Sequence, residues 1–355
     1  MLEAIVQTSL EVSIVQSPVP TPGKGEVLIK VICSGCNPKD WKAVVYLDKP
    51  MNSGDDIAGI VESVGPGVTA FRKGDRVAAF HPMGTAGGSF AEFATAPAST
   101  TFHLPPTISF EEASAVPLPA FTAAVGLYHS LGLSPPWAPA TTAVPLLIYG
   151  ASTTVGAYSI KLACRSNLHP IIAVAGAGRG LVEKLIDPSK GDVIVDYREG
   201  YDSMVRKIRQ VLSEQGQLSI AHAFDCVAEK DSLSLLSEVV APNGHATFVL
   251  HERDYSKPAR TLRTSITYVG YLHTGPFIAE PHQGINYTPQ GRGDDFGAVF
   301  STVFSKGLED GWLKAHPYEV IPAGLNGVSG ALKRLKDGQV SASRLLVRIS
   351  DTVVQ

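Results

Sequence analysis

The sequence predicts an α/β protein in two parts: a β-rich unit and a doubly wound parallel sheet. Three observations carry this. A chain of 355 residues exceeds one compact core, since domains run to roughly 100–200 residues. Up to about Leu104, short apolar runs are punctuated by turn signals. From Pro145 onward, apolar strands alternate with helical stripes.

In chain order, the β-rich part reads as strands at Val27–Ile32, Ile57–Val64, Arg76–Phe80 and Phe90–Ala94. The turns are Gly23-Lys24-Gly25, Asn37-Pro38, Gly65-Pro66-Gly67 and Lys73-Gly74-Asp75, a spacing that suits a small barrel or sandwich. Pro135–Pro145, rich in Pro, Ala and Thr, reads as a surface linker. Leu146–Tyr149 is a short buried-type strand, followed by a turn and helical spacing over Ala157–Arg165. Ile171–Ala175, a helix around Leu181–Leu185 and the strand Val193–Tyr197 come next. Met204, Val205, Ile208, Val211 and Leu212 then share one helical face. Strands at Ala221–Val227, Ala246–Leu250 and Ile266–Leu272, with a helix at Asp231–Val240, complete a Rossmann-type alternation. Beyond it, Phe296, Val299, Phe300, Val303, Phe304 and Leu308 form the core-facing stripe of a helix. A β segment near Tyr318–Ile321, a helix at Val328–Leu335 and a strand at Leu345–Ile349 close the chain.

Composition narrows the class. Charged residues are 18% and the net charge is −3, so a membrane protein has to be considered. Ala113–Ile160 carries no Asp, Glu, Lys or Arg, but six prolines interrupt it, which excludes an unbroken apolar span of about 20 residues. A pI near 6.4 with interspersed charge gives no footprint for nucleic acid. Met1-Leu2-Glu3 does not open a secretory signal, and four cysteines in a chain of this size fit a reducing, cytoplasmic setting.

Leu146–Tyr149 runs into Gly150-Ala151-Ser152-Thr153-Thr154-Val155-Gly156 and a helix. Such a turn aims backbone N–H groups and a helix dipole at an anion. The middle glycine of G-x-G-x-x-G is missing, and Ser152, Thr153 and Thr154 bring hydroxyls instead. At the end of the second strand stands Ala175-Gly176-Ala177-Gly178-Arg179, with a guanidinium where an NAD site wants an acid. Arg179 suits a 2′-phosphate, so the expected cofactor is NADPH. Cys33-Ser34-Gly35-Cys36 has no second CxxC and no nearby His pair, so no metal is expected there.

The chain resembles the medium-chain dehydrogenase/reductases, in their zinc-free quinone-oxidoreductase branch. The resemblance rests on Asn37-Pro38-Lys39-Asp40-Trp41-Lys42, Gly54-Asp55-Asp56-Ile57-Ala58-Gly59, Gly74-Asp75-Arg76-Val77 and Asp196-Tyr197-Arg198, in family order over essentially the whole chain. The Pro-rich lead-in, the Ser152-Thr153 turn and Leu118-Pro119-Ala120-Phe121-Thr122-Ala123 make it similar to fungal trans-acting enoyl reductases of polyketide synthases.

That resemblance implies a GroES-like catalytic domain (1–118 and 276–355) and a Rossmann NADPH domain (119–275). By position, Ser152, Thr153, Thr154 and Val155 contact the pyrophosphate, Arg179 and Tyr197 lie near the 2′-phosphate, and Leu250 lies by the nicotinamide. Ser343 and Arg344 are a further cofactor contact. Lys39, Asp40, Trp41 and Lys42 face cofactor and substrate, while Thr122 and Gly270, Tyr271, Leu272, His273 and Thr274 line an acyl pocket. Zinc-dependent relatives carry Cys where Asn37 stands and His-Glu where Asp55-Asp56 stand.

A conjugated thioester spreads incoming charge into an enolate, so hydrogen-bond donors can replace a Lewis acid. The expected reaction is NADPH-dependent reduction of an enoyl thioester tethered to a carrier protein of a polyketide synthase. Lys42 is the candidate for holding the acyl carbonyl, or else a surface lysine. Asp40 either orients Lys42 or stabilises the turn. Asp55 and Asp56 form either an acid–base pair or a loop-ordering one. No proton donor is identifiable, and water can serve. A free-standing quinone or enone reductase and an NADPH-binding scaffold are the alternatives. The assembly is a monomer or a homodimer, with the strand at Ile266–Leu272 as the place to look.

Overall fold

In the computed structural model the chain forms two compact units, Met1–Leu118 with Arg292–Gln355, and Pro119–Gly291. The structure describes residues 1–214, 216, 220–228, 230–274 and 284–353, so the boundary expected at 275/276 lies outside the described residues.

The first unit opens with an antiparallel hairpin, β1 (Leu2–Val6) and β2 (Val12–Gln16). Its turn is made without glycine: Leu10 takes a positive φ of 66° while its side chain is buried. Next come β3 (Glu26–Cys36), α1 (Pro38–Tyr46), β4 (Asp56–Val64), β5 (Arg76–Phe80), β6 (Phe93–Pro97), β7 (Thr101–His103) and α2 (Phe110–Ser114). The strand expected at Phe90–Ala94 starts later. Phe90 O accepts from Ala4 N–H at 2.8 Å and Ala91 bridges Glu3, so only Phe93–Pro97 pairs with β3. α2 is held by a capping box, Glu112 N–H donating to Ser109 Oγ at 3.1 Å and Ser109 N–H to Glu112 Oε2 at 3.0 Å.

In the second unit, the end of α3 (Pro117–Ala124) continues as a π-helix over Val125–Ser130. Gly126 lies flat on Phe224, where a Cβ would come within 2.3 Å of the ring. The sheet and its helices follow: β8 (Leu146–Tyr149), α4 (Thr154–Arg165), β9 (Ile171–Ala175), α5 (Arg179–Val182), β10 (Val193–Asp196), α6 (Tyr201–Glu214), β11 (Ile220–Asp225), α7 (Lys230–Val239), β12 (Val240–Phe248), β13 (Arg263–Ile266) and α8 (Tyr271–Thr274). All six strands are parallel in the order β10-β9-β8-β11-β12-β13, the doubly wound arrangement expected. Leu147, Ile172, Val174, Val195, Ala223 and Phe248 belong to its apolar core.

The last strand is shorter than the predicted Ile266–Leu272. After Ile266 the chain turns at Tyr268–Gly270 into α8, with Tyr271 N–H donating to Tyr268 O at 3.1 Å. The outer edge of β13 is not bare. Thr264 N–H donates to Asn286 Oδ1 at 2.8 Å, Thr264 O accepts from Tyr287 N–H at 3.0 Å, and Asn286 Nδ2 donates to Leu262 O at 2.9 Å.

The C-terminal segment rejoins the first unit with α9 (Gly293–Glu309), β14 (Tyr318–Ile321), α10 (Val328–Lys336) and β15 (Arg344–Arg348). Its sheet runs β14-β15-β3-β4-β5-β7, with β6 also on β3. No described helix is long and apolar enough to cross a membrane.

Candidate active site

The turn after β8 is built to approach an anion. Gly150 takes a φ of 75°, and a Cβ on Gly156 would lie 2.3 Å from Gly150 O, so α4 starts close against the strand end. Thr153 is the N-cap: its Oγ1 accepts from Gly156 N–H at 3.1 Å and donates to Gly150 O at 2.7 Å. That hydroxyl's donor and one of its acceptor positions are thus used within the turn itself. The remaining first-turn N–H groups, at Thr154 and Val155, have no intrahelical acceptor and lie at the positive end of a twelve-residue helix. Ser152 lies half-exposed just ahead of them.

Beside it, the ends of β9 and β10 carry the residues expected near a 2′-phosphate. Tyr197, largely exposed, lays its ring against Gly176, where a Cβ would come within 2.6 Å of it. Arg179 is exposed and its Nε donates to Glu183 at 2.8 Å. Leu250 follows β12 and is half-buried.

The first unit holds a sealed charge cluster. Asp40 closes the first turn of α1 by accepting from Asn37 N–H at 2.7 Å. Lys39 Nζ donates to Ser53 O at 2.6 Å, lies 3.1 Å from Asp40 Oδ1 and pairs with Asp55. Burial pushes the Asp40 carboxyl up to about 7 and Asp55 up to about 6, although Lys39 pulls both down. For Lys39, burial works to lower the pKa, but Asp55 and Asp40 outweigh it, so the ammonium is held charged. Asp56, fully buried, accepts from Arg344, from Asn37 Nδ2 at 2.7 Å and from Leu118 N–H at 2.6 Å.

The remaining candidates separate. Lys42 Nζ lies over the Trp41 ring at 5.9 Å, while Lys39 meets Asp40 and Asp55. Arg344 is buried, and its guanidinium is the counter-ion of Asp56, while Ser343 beside it is half-buried. In the second unit Thr122 is buried on α3, and Gly270 packs under Tyr268. Tyr271 and Leu272 are buried, His273 is half-buried and Thr274 exposed. Tyr271 stacks on His129 at 4.0 Å, and both line a narrow pocket with Val125, Ile266, Tyr268 and Tyr287. His129 escaped the sequence reading. A π-helix has no sequence signature, and the partner ring is 142 positions away on the chain, as 271 minus 129 gives.

Cys33 and Cys36, three residues apart on β3, pack into different core clusters as buried thiols, burial raising Cys33 to about 12 and Cys36 well above its ordinary value. Among the described residues, Cys164, His169 and Asp192 lie close enough to share an ion. Their polar atoms already have partners: His169 Nδ1 is 2.7 Å from Asp192, which also accepts from Ile171 and Asp187 N–H.

The model of the alcohol dehydrogenase GroES-like domain matches residues 23–106. The trans-enoyl reductase fsr4 of Gibberella fujikuroi is 42% identical over 332 residues, covering 92% of each chain. This chain belongs to the trans-enoyl reductases, within the medium-chain dehydrogenase/reductase family. A quinone oxidoreductase of Rattus norvegicus is 30% identical over 83% of this chain and 81% of its own. In fold, the chain is like the crystal structure of CurK enoyl reductase, with a TM-score of 0.73, 17% identity and 98% of each chain covered. The family's α/β architecture, a GroES-like domain with a Rossmann-type sheet, is the one described above, and its members are oxidoreductases with a nicotinamide cofactor.

Proposed function

We propose that this chain is a zinc-independent enoyl reductase that uses NADPH to saturate the α,β-double bond of an enoyl thioester. Its substrate is carried by a polyketide synthase on which it acts in trans, in the cytoplasm. The observation that carries the reading is the 42% identity, over nearly the full length, to a protein named trans-enoyl reductase. The turn at Gly150–Gly156 fits a dinucleotide, because its close strand–helix approach would be filled by a Cβ at Gly156.

When bound, a reduced nicotinamide would supply hydride to the β-carbon, with the α-carbon proton taken from water. The chain's own residues bind and orient the partners. Ser152, Thr154 and Val155 hold the pyrophosphate, and Thr153 keeps the turn in shape. Arg179 and Tyr197 take the phosphorylated ribose. Lys42 holds the thioester carbonyl, where charge builds as the enolate forms. Lys39 places a positive charge between Asp40 and Asp55, which supports a reaction without zinc: those carboxylates already have their cation.

The test is purified protein with crotonyl-type thioesters and quinones, following NADPH and NADH absorbance. Thioester-dependent oxidation of NADPH is expected. A strong quinone preference would favour the second reading, a quinone reductase, which the rat relative supports. Tight NADPH binding with no turnover on any acceptor would leave a scaffold docked on a synthase.

A further inference from the structure

The nucleotide end of the second unit contains a charge pair that the reading above does not use. Asp196 is the last residue of β10 and stands in register with Ala175, the last residue of β9. In a doubly wound sheet the adenosine ribose lies at the carboxyl end of the second strand, here β9, and Asp196 stands directly beside it at the end of the third. A bare carboxylate there accepts from a ribose 2′-hydroxyl and repels a 2′-phosphate.

Asp196 is not bare. Arg198 Nε donates to its two oxygens at 2.9 and 3.2 Å, and Nη2 donates at 2.6 Å, a planar fork on a planar acid. Arg198 N–H adds a bond at 2.9 Å. These bonds hold the Asp196 carboxyl down to about 2, so acid and guanidinium stay charged together across the working range. The acid is 10% exposed and the guanidinium side chain 54%, so the pair turns its positive edge outward. Nη1 makes no hydrogen bond among the described residues. Glu199, whose charge also faces this end, is tied to Lys207, and Glu183 is tied to Arg179.

We propose that Arg198 determines cofactor choice: by forking onto Asp196 it converts a site for a ribose hydroxyl into one for a 2′-phosphate monoester. The inference rests on the NADPH reading and names a residue that reading leaves out. It is tested by isothermal titration of the full chain with 2′,5′-ADP and with 5′-AMP, needing no turnover. The wild type should prefer 2′,5′-ADP. Arg198→Ala should weaken 2′,5′-ADP about tenfold, the scale of one charge-assisted bond, and leave 5′-AMP unchanged. Asp196→Asn/Arg198→Ala should recover most of that loss, because the repelling charge is gone. If wild type binds the two ligands equally, the NADPH reading falls and takes this proposal with it. Should Arg198→Ala keep the preference, weaken both ligands alike, or fail to recover in the double variant, the proposal alone falls and Arg198 is a turn-stabilising residue.

Discussion

Replacing Arg344 with Met should unseat the sealed carboxylate of Asp56. Asp56 is 0% exposed and Arg344 4%, so neither charge can turn to water. Without the guanidinium, Asp56 keeps two neutral donors, Asn37 Nδ2 and Leu118 N–H. Breaking such a pair from one side costs about 3–5 kcal/mol, which lowers the midpoint of a unit this size by roughly 6–20 °C. The cost depends on pH. Burial already raises the Asp56 pKa, against the pull of Arg344, and losing Arg344 raises it further. A carboxyl whose folded pKa exceeds its unfolded one binds its proton more tightly when native, so stability falls as pH climbs between the two. The deficit is therefore greatest above the folded pKa and shrinks as the solution is acidified. Urea unfolding followed by tryptophan fluorescence in a Trp137→Phe background reads the first unit, which contains Trp41 and Trp312. Asp56→Asn/Arg344→Met should regain most of the loss. A single variant within about 1 kcal/mol of wild type at pH 8, or a double variant no better than the single, would refute the electrostatic account.

Four further outcomes are expected. Thr153→Ala should cost about 1 kcal/mol in a thermal melt and weaken dinucleotide binding several-fold by fluorescence titration, because α4 loses its cap. Between pH 5 and 8 the first unit should lose stability as pH rises through the raised values of Asp40 and Asp55, about 7 and 6, then level off. Urea midpoints against pH measure this, and Asp55→Asn should flatten the slope. Lys42→Ala should raise KM for the thioester several-fold with NADPH affinity unchanged. Lys39→Met should instead lower the melting temperature sharply, since it strands two buried carboxylates.

The contrast between these two lysines shows what the sequence made legible. NPKDWK reads as a loop facing cofactor and substrate but opens helix α1, and its two lysines look alike on paper. Which one is drawn inward depends on Ser53 and Asp55, in the loop between α1 and β4, and no local pattern reports that. Asp55 and Asp56 pose the same problem: adjacent in sequence, they point to different cations, Lys39 and Arg344, the latter 288 positions from Asp56. The doubly wound sheet, by contrast, was readable because each buried strand is a short apolar run and each helix a periodic stripe, both local signals. Errors cluster where distant chain decides the outcome. Phe90 and Ala91 were read as strand because they are apolar, but β1 captures them first. The β1–β2 hairpin went unseen because its turn uses Leu10 in a conformation that normally advertises itself with glycine or asparagine. In the phosphate turn the reverse holds: Thr153 was visible as a hydroxyl, yet its position at the helix start fixes it as a cap.

The way β13 ends has its own consequence. A parallel sheet that stops in the open offers a ladder of peptide groups to any extended chain that drifts by. Here one carboxamide forestalls this: Asn286 takes Thr264 N–H with its oxygen and gives its nitrogen to Leu262 O, standing in for a peptide unit of a seventh strand. Backbone shares the task, since Tyr287 N–H fills Thr264 O. The sheet is thus terminated by a short returning segment whose carboxamide completes what its peptide groups begin, and resistance to runaway strand-to-strand stacking at this margin is encoded in that segment.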